Sequence, residues 1–124
     1  MAKKRTIQIK RVYETPAAQD GLRVLVDRLW PRGLSRTEGR IDVWLKELAP
    51  SHVLRRRFHA NTMSWNEFAK AYEHELTQEP ARSAAQALWD RAEDTITLLY
   101  GSKNQQHNNA AVLAALLKRC DEQR

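Results

Sequence analysis

Leu22-Arg-Val-Leu-Val-Asp-Arg-Leu-Trp-Pro-Arg-Gly33 is the stretch that decides the fold class. Its middle, Val24-Leu25-Val26, is apolar at successive positions, so neither face is offered to water, which is the pattern of a strand buried inside a sheet. The strand is expected over residues 22–28 and ends at Trp30-Pro31-Arg32-Gly33, because proline cannot donate to a ladder and glycine frees the backbone.

Upstream, Thr6 to Val12 alternates, with Ile7 and Ile9 on one side and Gln8 and Lys10 on the other, which reads as a half-buried strand. Pro16 to Gly21 between the two is turn chemistry. Downstream come four helical patterns. Ile41, Trp44, Leu45 and Leu48 follow i, i+3, i+4, i+7 spacing and predict a helix ending before Pro50. Ser51 to Phe58 directs Val53, Leu54 and Phe58 inward and Arg55-Arg56-Arg57 mostly outward. Ser64 with Glu67 is a capping-box pattern opening a stripe of Trp65, Phe68, Tyr72 and Leu76. Pro80 suits the first turn of a helix carrying Ala84, Ala85, Leu88 and Trp89. Thr95 to Tyr100 is β-branched and aromatic, a third and central strand. A turn at 101–104 then leads into a closing helix from Gln105 to about Cys120, with Ala110, Leu113, Leu117 and Cys120 on one face. This order predicts an α/β fold with a short, mostly parallel sheet of about three strands covered by four to five helices.

The 124 residues suit one domain, with residues 1–5 as a disordered basic tail. The longest apolar run, Ala110 to Leu117, is far short of the ~18 residues of a spanning helix. No secretory h-region follows Met1, and the one cysteine fits a reducing cytoplasm, with Cys120 itself read as packing. The charge is uneven. Residues 1–40 carry ten Lys/Arg against four Asp/Glu, which accounts for the whole net charge of +6. Such a basic third attracts phosphate or carboxylate groups, or forms a solvated face.

Open α/β sheets bind ligands beyond the carboxyl ends of their strands. Two polar segments are expected there, 27–33 and 101–109. Arg28, Arg32 and Lys103 supply cationic donors, Trp30 a flat wall for a base or sugar ring, and His107 and Asn108 further polar groups beside the last helix. The plainer alternatives are an Asp27–Arg28 ion pair, a surface histidine, and an N-cap of the last helix at Ser102 or Asn104. Gly101-Ser102-Lys103 lacks the P-loop spacing, the histidines at 52, 59, 74 and 107 form no zinc pattern, and no G-x-S-x-G elbow is present. No metal site or cofactor is expected. Glu73-His74-Glu75 is expected in solvent.

The runs Arg23-Val-Leu-Val-Asp-Arg-Leu-Trp-Pro-Arg-Gly33, Trp44-Leu-Lys-Glu-Leu-Ala-Pro50 and Leu98-Leu-Tyr-Gly-Ser-Lys-Asn-Gln-Gln-His-Asn108 resemble the YeaO-like bacterial family, a branch of a domain-of-unknown-function superfamily. The likeness extends from Ile9 to Leu117 and implies a small cytoplasmic α/β domain. The label of transcriptional regulator, sometimes attached to such proteins, is not carried over, because no helix-turn-helix with a basic recognition helix is legible. The family pattern after the last strand runs A-K-D-E-E-H-N-H-A. Here Lys103, His107 and Asn108 match, whereas Asn104, Gln105, Gln106 and Asn109 replace the acids and the second histidine. Amides still form hydrogen bonds, so that exchange preserves binding better than proton transfer.

The leading expectation is therefore a pocket for a small anionic or phosphorylated molecule formed by Arg28, Trp30, Arg32, Lys103, His107 and Asn108, with His107 as the acid–base group of any chemistry. A second expectation is a nucleic-acid-binding module using the basic first third with Arg36, Arg40 and Arg55 to Arg57. A third is a protein-docking surface of exposed Trp44 or Trp89.

Overall fold

The computed structural model describes residues 5–122, with side chains through 119. Four parallel strands form one sheet in the order β1-β4-β2-β3: β1 Thr6–Arg11, β2 Leu22–Leu25, β3 Val43–Trp44 and β4 Thr95–Tyr100. The helices are α1 Arg36–Gly39, α2 His52–His59, α3 Trp65–Glu75, α4 Ala81–Trp89 and α5 Asn109–Glu122. Among the described residues no helix is long and apolar enough to cross a membrane.

β4 sits between β1 and β2, and Ile96 to Tyr100 are all buried, as its apolar composition demands. Its alternate side chains serve two unequal cores. Ile96, Leu98 and Tyr100 join Ile7, Leu22, Val24 and Val26 beneath helices α2–α5 in the main cluster. On the opposite face Leu99 joins Val12, Leu25 and Ile41 in a small cluster edged by Trp30, Leu34 and Trp44.

The rest of that second face is polar and closed. Gln8, Thr97 and Arg23 stand in one row across β1, β4 and β2. Thr97 accepts from Gln8 Nε2 (2.9 Å) and donates to the Asp20 carbonyl (2.6 Å). The fully buried Arg23 donates to the Asp20 carboxylate (2.6 Å) and to the carbonyls of Gly39 (2.7 Å) and Arg40 (3.1 Å). Lys10 donates to the same carboxylate at 3.1 Å, and the Ala17 N–H donates to it at 2.9 Å. Burial alone would raise the Asp20 carboxyl, but the Ala17 N–H, Lys10 and Arg23 outweigh it and hold the group below its ordinary value. Among the described residues no buried side-chain polar atom lacks a partner.

Two helical expectations need correction. Ile41 to Leu48 is not a helix: Val43 and Trp44 pair with Val24 and Leu25 as the fourth, edge strand, and Lys46–Leu48 is a single 3-10 turn. Asp42 explains the choice, because its N–H donates to the Arg23 carbonyl (3.0 Å) while its carboxylate accepts from the Arg23 N–H (2.9 Å). Ile41 and Leu48 then enter clusters on opposite faces of the sheet, which a helical stripe cannot do. The closing helix begins at Asn109 rather than Gln105. Ser102 and Asn104 side chains accept backbone N–H groups of Asn104, Gln106 and His107 and wind residues 102–108 into capped turns, the usual competition of such side chains with helix. The N-cap is Asn108, whose Oδ1 accepts from Ala111 (2.9 Å), not Ser102 or Asn104.

Residues 1–4 of the basic tail, and the Cys120 side chain, lie outside what is described, whereas Arg5 donates to the Trp89 and Arg91 carbonyls. Glu75 is not in solvent: it accepts from Ser51 N (2.8 Å) and Oγ (2.5 Å) at the head of α2. Trp89 is buried and Trp44 half-buried against Trp30, so the exposed tryptophan patch expected to support a docking surface is not formed.

Candidate functional site

The carboxyl ends of β2 and β4 are tied together by Asp27. Its Oδ2 accepts from Gly101 N (2.8 Å), its Oδ1 from Asn109 Nδ2 (3.1 Å), and its carbonyl from Trp44 Nε1 (2.8 Å). Asn109 also donates to the Val26 carbonyl at 2.9 Å. One carboxylate thus joins two strand ends to the start of α5. Gly101 permits this closeness, since a Cβ there would stand 3.2 Å from Asp27 Oδ2. Burial raises the Asp27 carboxyl; the Gly101 N–H, the Asn109 amide and the charge of Arg55 pull the other way without cancelling it.

Asp27 lines a cavity of about 430 Å3, a size suited to a small molecule. Its walls come from the loop after β2 (Arg28, Leu29, Trp30, Pro31), the turns after β4 (Ser102, Lys103, His107, Asn108), the first residue of α5 (Asn109), and the facing helices α2 and α3 (Arg55, Phe58, His59, Trp65, Phe68). Arg28, Arg55, Lys103, His59 and His107 are exposed at it. The apolar part is an aromatic cluster: Trp65 lies against Phe68 with ring centres 5.5 Å apart, and Phe58 lies 4.6 Å from Phe68. His107 stacks on Trp65, with centroids 4.5 Å apart and planes 8° from parallel.

Of the sequence-predicted residues, Arg28, Trp30, Lys103, His107 and Asn108 line this cavity. Their roles differ. Arg28 also reaches the Pro50 carbonyl at 3.3 Å. Trp30 commits its indole N–H to the Leu34 carbonyl (2.6 Å) and packs edge-on against Trp44, so it is as much core as wall. Asn108 spends its Oδ1 on the helix cap and its Nδ2 on the Asn104 carbonyl, leaving it a scaffold for the turn. Arg32 is exposed and does not line the cavity; its carbonyl accepts from the Tyr13 hydroxyl. Asp27 does not ion-pair with Arg28 but takes the N–H donors of Gly101 and Asn109. Arg55 was expected only on a nucleic-acid surface and Trp65 only in an apolar stripe, because their own helices show no more than an exposed basic triplet and that stripe. Among the described residues no cluster of His, Cys, Asp and Glu could hold a metal ion.

The comparisons agree on the family. Residues 6–124 match the family model described as "Inactive DUF488-N3 subclade". The chain is 43% identical over 113 residues to Uncharacterized protein YeaO of Escherichia coli strain K12, covering 90% of this chain and 96% of that protein. It is 36% identical over 117 residues to Uncharacterized protein Mb3100c of Mycobacterium bovis, covering 94% of this chain and 98% of that protein. No solved structure matches it. With near-complete coverage on both sides, the chain belongs to the YeaO-like family, within the subclade described as inactive DUF488-N3.

Proposed function

We propose that the cavity binds a small anionic or phosphorylated molecule without turning it over. One observation carries this reading: Arg28, Arg55 and Lys103, from three separate segments, line one cavity beyond the strand ends with His59 and His107, against the single carboxylate of Asp27. Converging cations in a partly desolvated concavity are what an anion needs, and guanidinium groups hold phosphate or carboxylate by paired bonds. His107 is the cavity's candidate proton-transfer group. The absence of a second histidine at Asn109, and a subclade described as inactive, favour binding alone.

The nucleic-acid alternative has part of its basic first third engaged within the protein. Arg23 is buried, Arg36 bonds the Ile41 and Asp42 carbonyls, Arg40 the Gly21 carbonyl, and Lys10 the Asp20 carboxylate. The test is calorimetric titration with inorganic phosphate. A charged hydrogen bond contributes about 1.5–3 kcal/mol, so Arg28→Ala and Lys103→Ala are each expected to weaken binding by roughly ten-fold or more. Arg56→Ala, which removes an equal charge from an exposed position outside the cavity, should leave affinity unchanged. No phosphate binding by the native chain, or equal losses in all three variants, overturns the reading. Binding of short DNA or RNA that falls steeply with salt and is lost in Arg56→Ala would instead support the nucleic-acid alternative.

A further inference from the structure

We infer that the molecule is a nucleotide, with its phosphate on the cations of the cavity, its base continuing the Trp65–His107 stack, and the base's N–H edge read by Asp27. This rests on the anion reading above and adds the chemical class.

Two features of the cavity go unused by a bare phosphate. The first is its aromatic content. Trp65 covers one face of the His107 ring, and that exposed ring itself lines the cavity, so a flat heterocycle placed there extends an existing stack. Stacking a base on an aromatic side chain contributes about 1–3 kcal/mol in single-stranded nucleic-acid complexes. The second is Asp27. A carboxylate in an anion site repels the ligand unless it meets a part of the ligand that donates. Each Asp27 oxygen accepts one hydrogen bond from the protein, and a carboxylate oxygen has room for a second. Both oxygens can therefore take an additional N–H. Guanine presents two such donors side by side, the ring N1–H and the exocyclic amine, which matches a carboxylate in the bidentate manner. The exposed cations and the more buried carboxylate then divide the ligand between its phosphate and its base.

The test compares GMP with ribose 5-phosphate by calorimetry at pH 8 on the full chain. GMP is expected to bind at least ten-fold more tightly. Asp27→Asn should bring the ratio close to one while ribose 5-phosphate binds at least as well as before, since the variant removes the paired acceptor for the base together with the charge that repels a phosphate. Should that variant fail to fold, His107→Ala, an exposed position, carries the test: GMP loses roughly five-fold or more affinity beyond any loss shown by ribose 5-phosphate. Equal affinity of the native chain for the two ligands overturns base recognition and leaves the anion site standing. A GMP preference that survives in folded Asp27→Asn overturns base reading by Asp27, and one that survives in His107→Ala overturns the stack on His107. Binding of neither probe overturns the anion reading and this inference with it.

Discussion

Arg23→Ala is expected to lower stability by about 3–5 kcal/mol, the loss typical when one partner of a buried ion pair is removed. Arg23 has no exposed surface, and its deletion leaves the Gly39 and Arg40 carbonyls unpaired in the interior and the Asp20 carboxylate with only Lys10 and the Ala17 N–H. At about 4 °C per kcal/mol for a domain of this size, the melting temperature should fall by roughly 12–20 °C. Arg23→Lys should recover only part, because one ammonium cannot span the fork that joins Asp20 to the two carbonyls. The pH dependence gives a separate signature. Asp20 titrates below its ordinary value when folded, so its contribution is full above the unfolded value near ~3.9 and is lost as pH falls through the folded value. Asp27 has the opposite sign: its raised carboxyl costs stability as pH rises past the unfolded value, and protonation in acid relieves that cost. Arg23→Ala should therefore flatten the acid limb of the native stability curve. A melting temperature within a few degrees of native, or an unchanged acid limb, would show that the Asp20 network contributes little.

Gly21→Ala is expected to cost as much. Gly21 has φ +63° and ψ −132°, a left-handed conformation closed to alanine without strain of about 1–3 kcal/mol. A Cβ there would also stand 2.3 Å from the Thr95 carbonyl oxygen, and that oxygen belongs to the backbone of the central strand and cannot step aside. The two penalties add to a loss of about 3 kcal/mol or more. Chemical denaturation of the variant measures it; a loss below about 1 kcal/mol would mean that the turn before β2 can reposition. Gly33→Ala is the matched comparison, since it shares a positive φ but meets no neighbouring atom within 4 Å, and only the strain should appear.

These residues illustrate what a sequence reveals. The buried strands announced themselves, because Val24-Leu25-Val26 and Ile96 to Tyr100 leave no face for water. The capping box at Ser64 and Glu67 did so as well, and it forms as written. The same signal at Ser35 and Glu38 opens α1, but only four residues follow before Arg40 turns left-handed, so no apolar stripe accompanied it. β3 was hidden because a two-residue edge strand is too short to show a period, and a helical spacing coincided with it. Arg23 sits in the middle of an apolar run, and nothing local says that its guanidinium is buried; the partners lie at Asp20 and at the end of α1. The site divides in the same way. The loops after β2 and β4 were legible from strand-end logic, whereas Arg55 and Trp65 reach the cavity through the packing of α2 and α3 over the sheet.

The position of β4 also sets when the domain can fold. Thr6 pairs with Thr95 and Leu22 with Ile96, so neither early strand has its central neighbour until the chain has been made past Tyr100. Pairings this distant in sequence slow folding and raise the loop-closure cost that must be met before either β4 ladder forms. On the ribosome β1 and β2 must therefore wait with open edges while the helical segments emerge. A truncated product ending before Thr95 lacks the central strand, and its apolar early strands become an aggregation hazard rather than a partial domain.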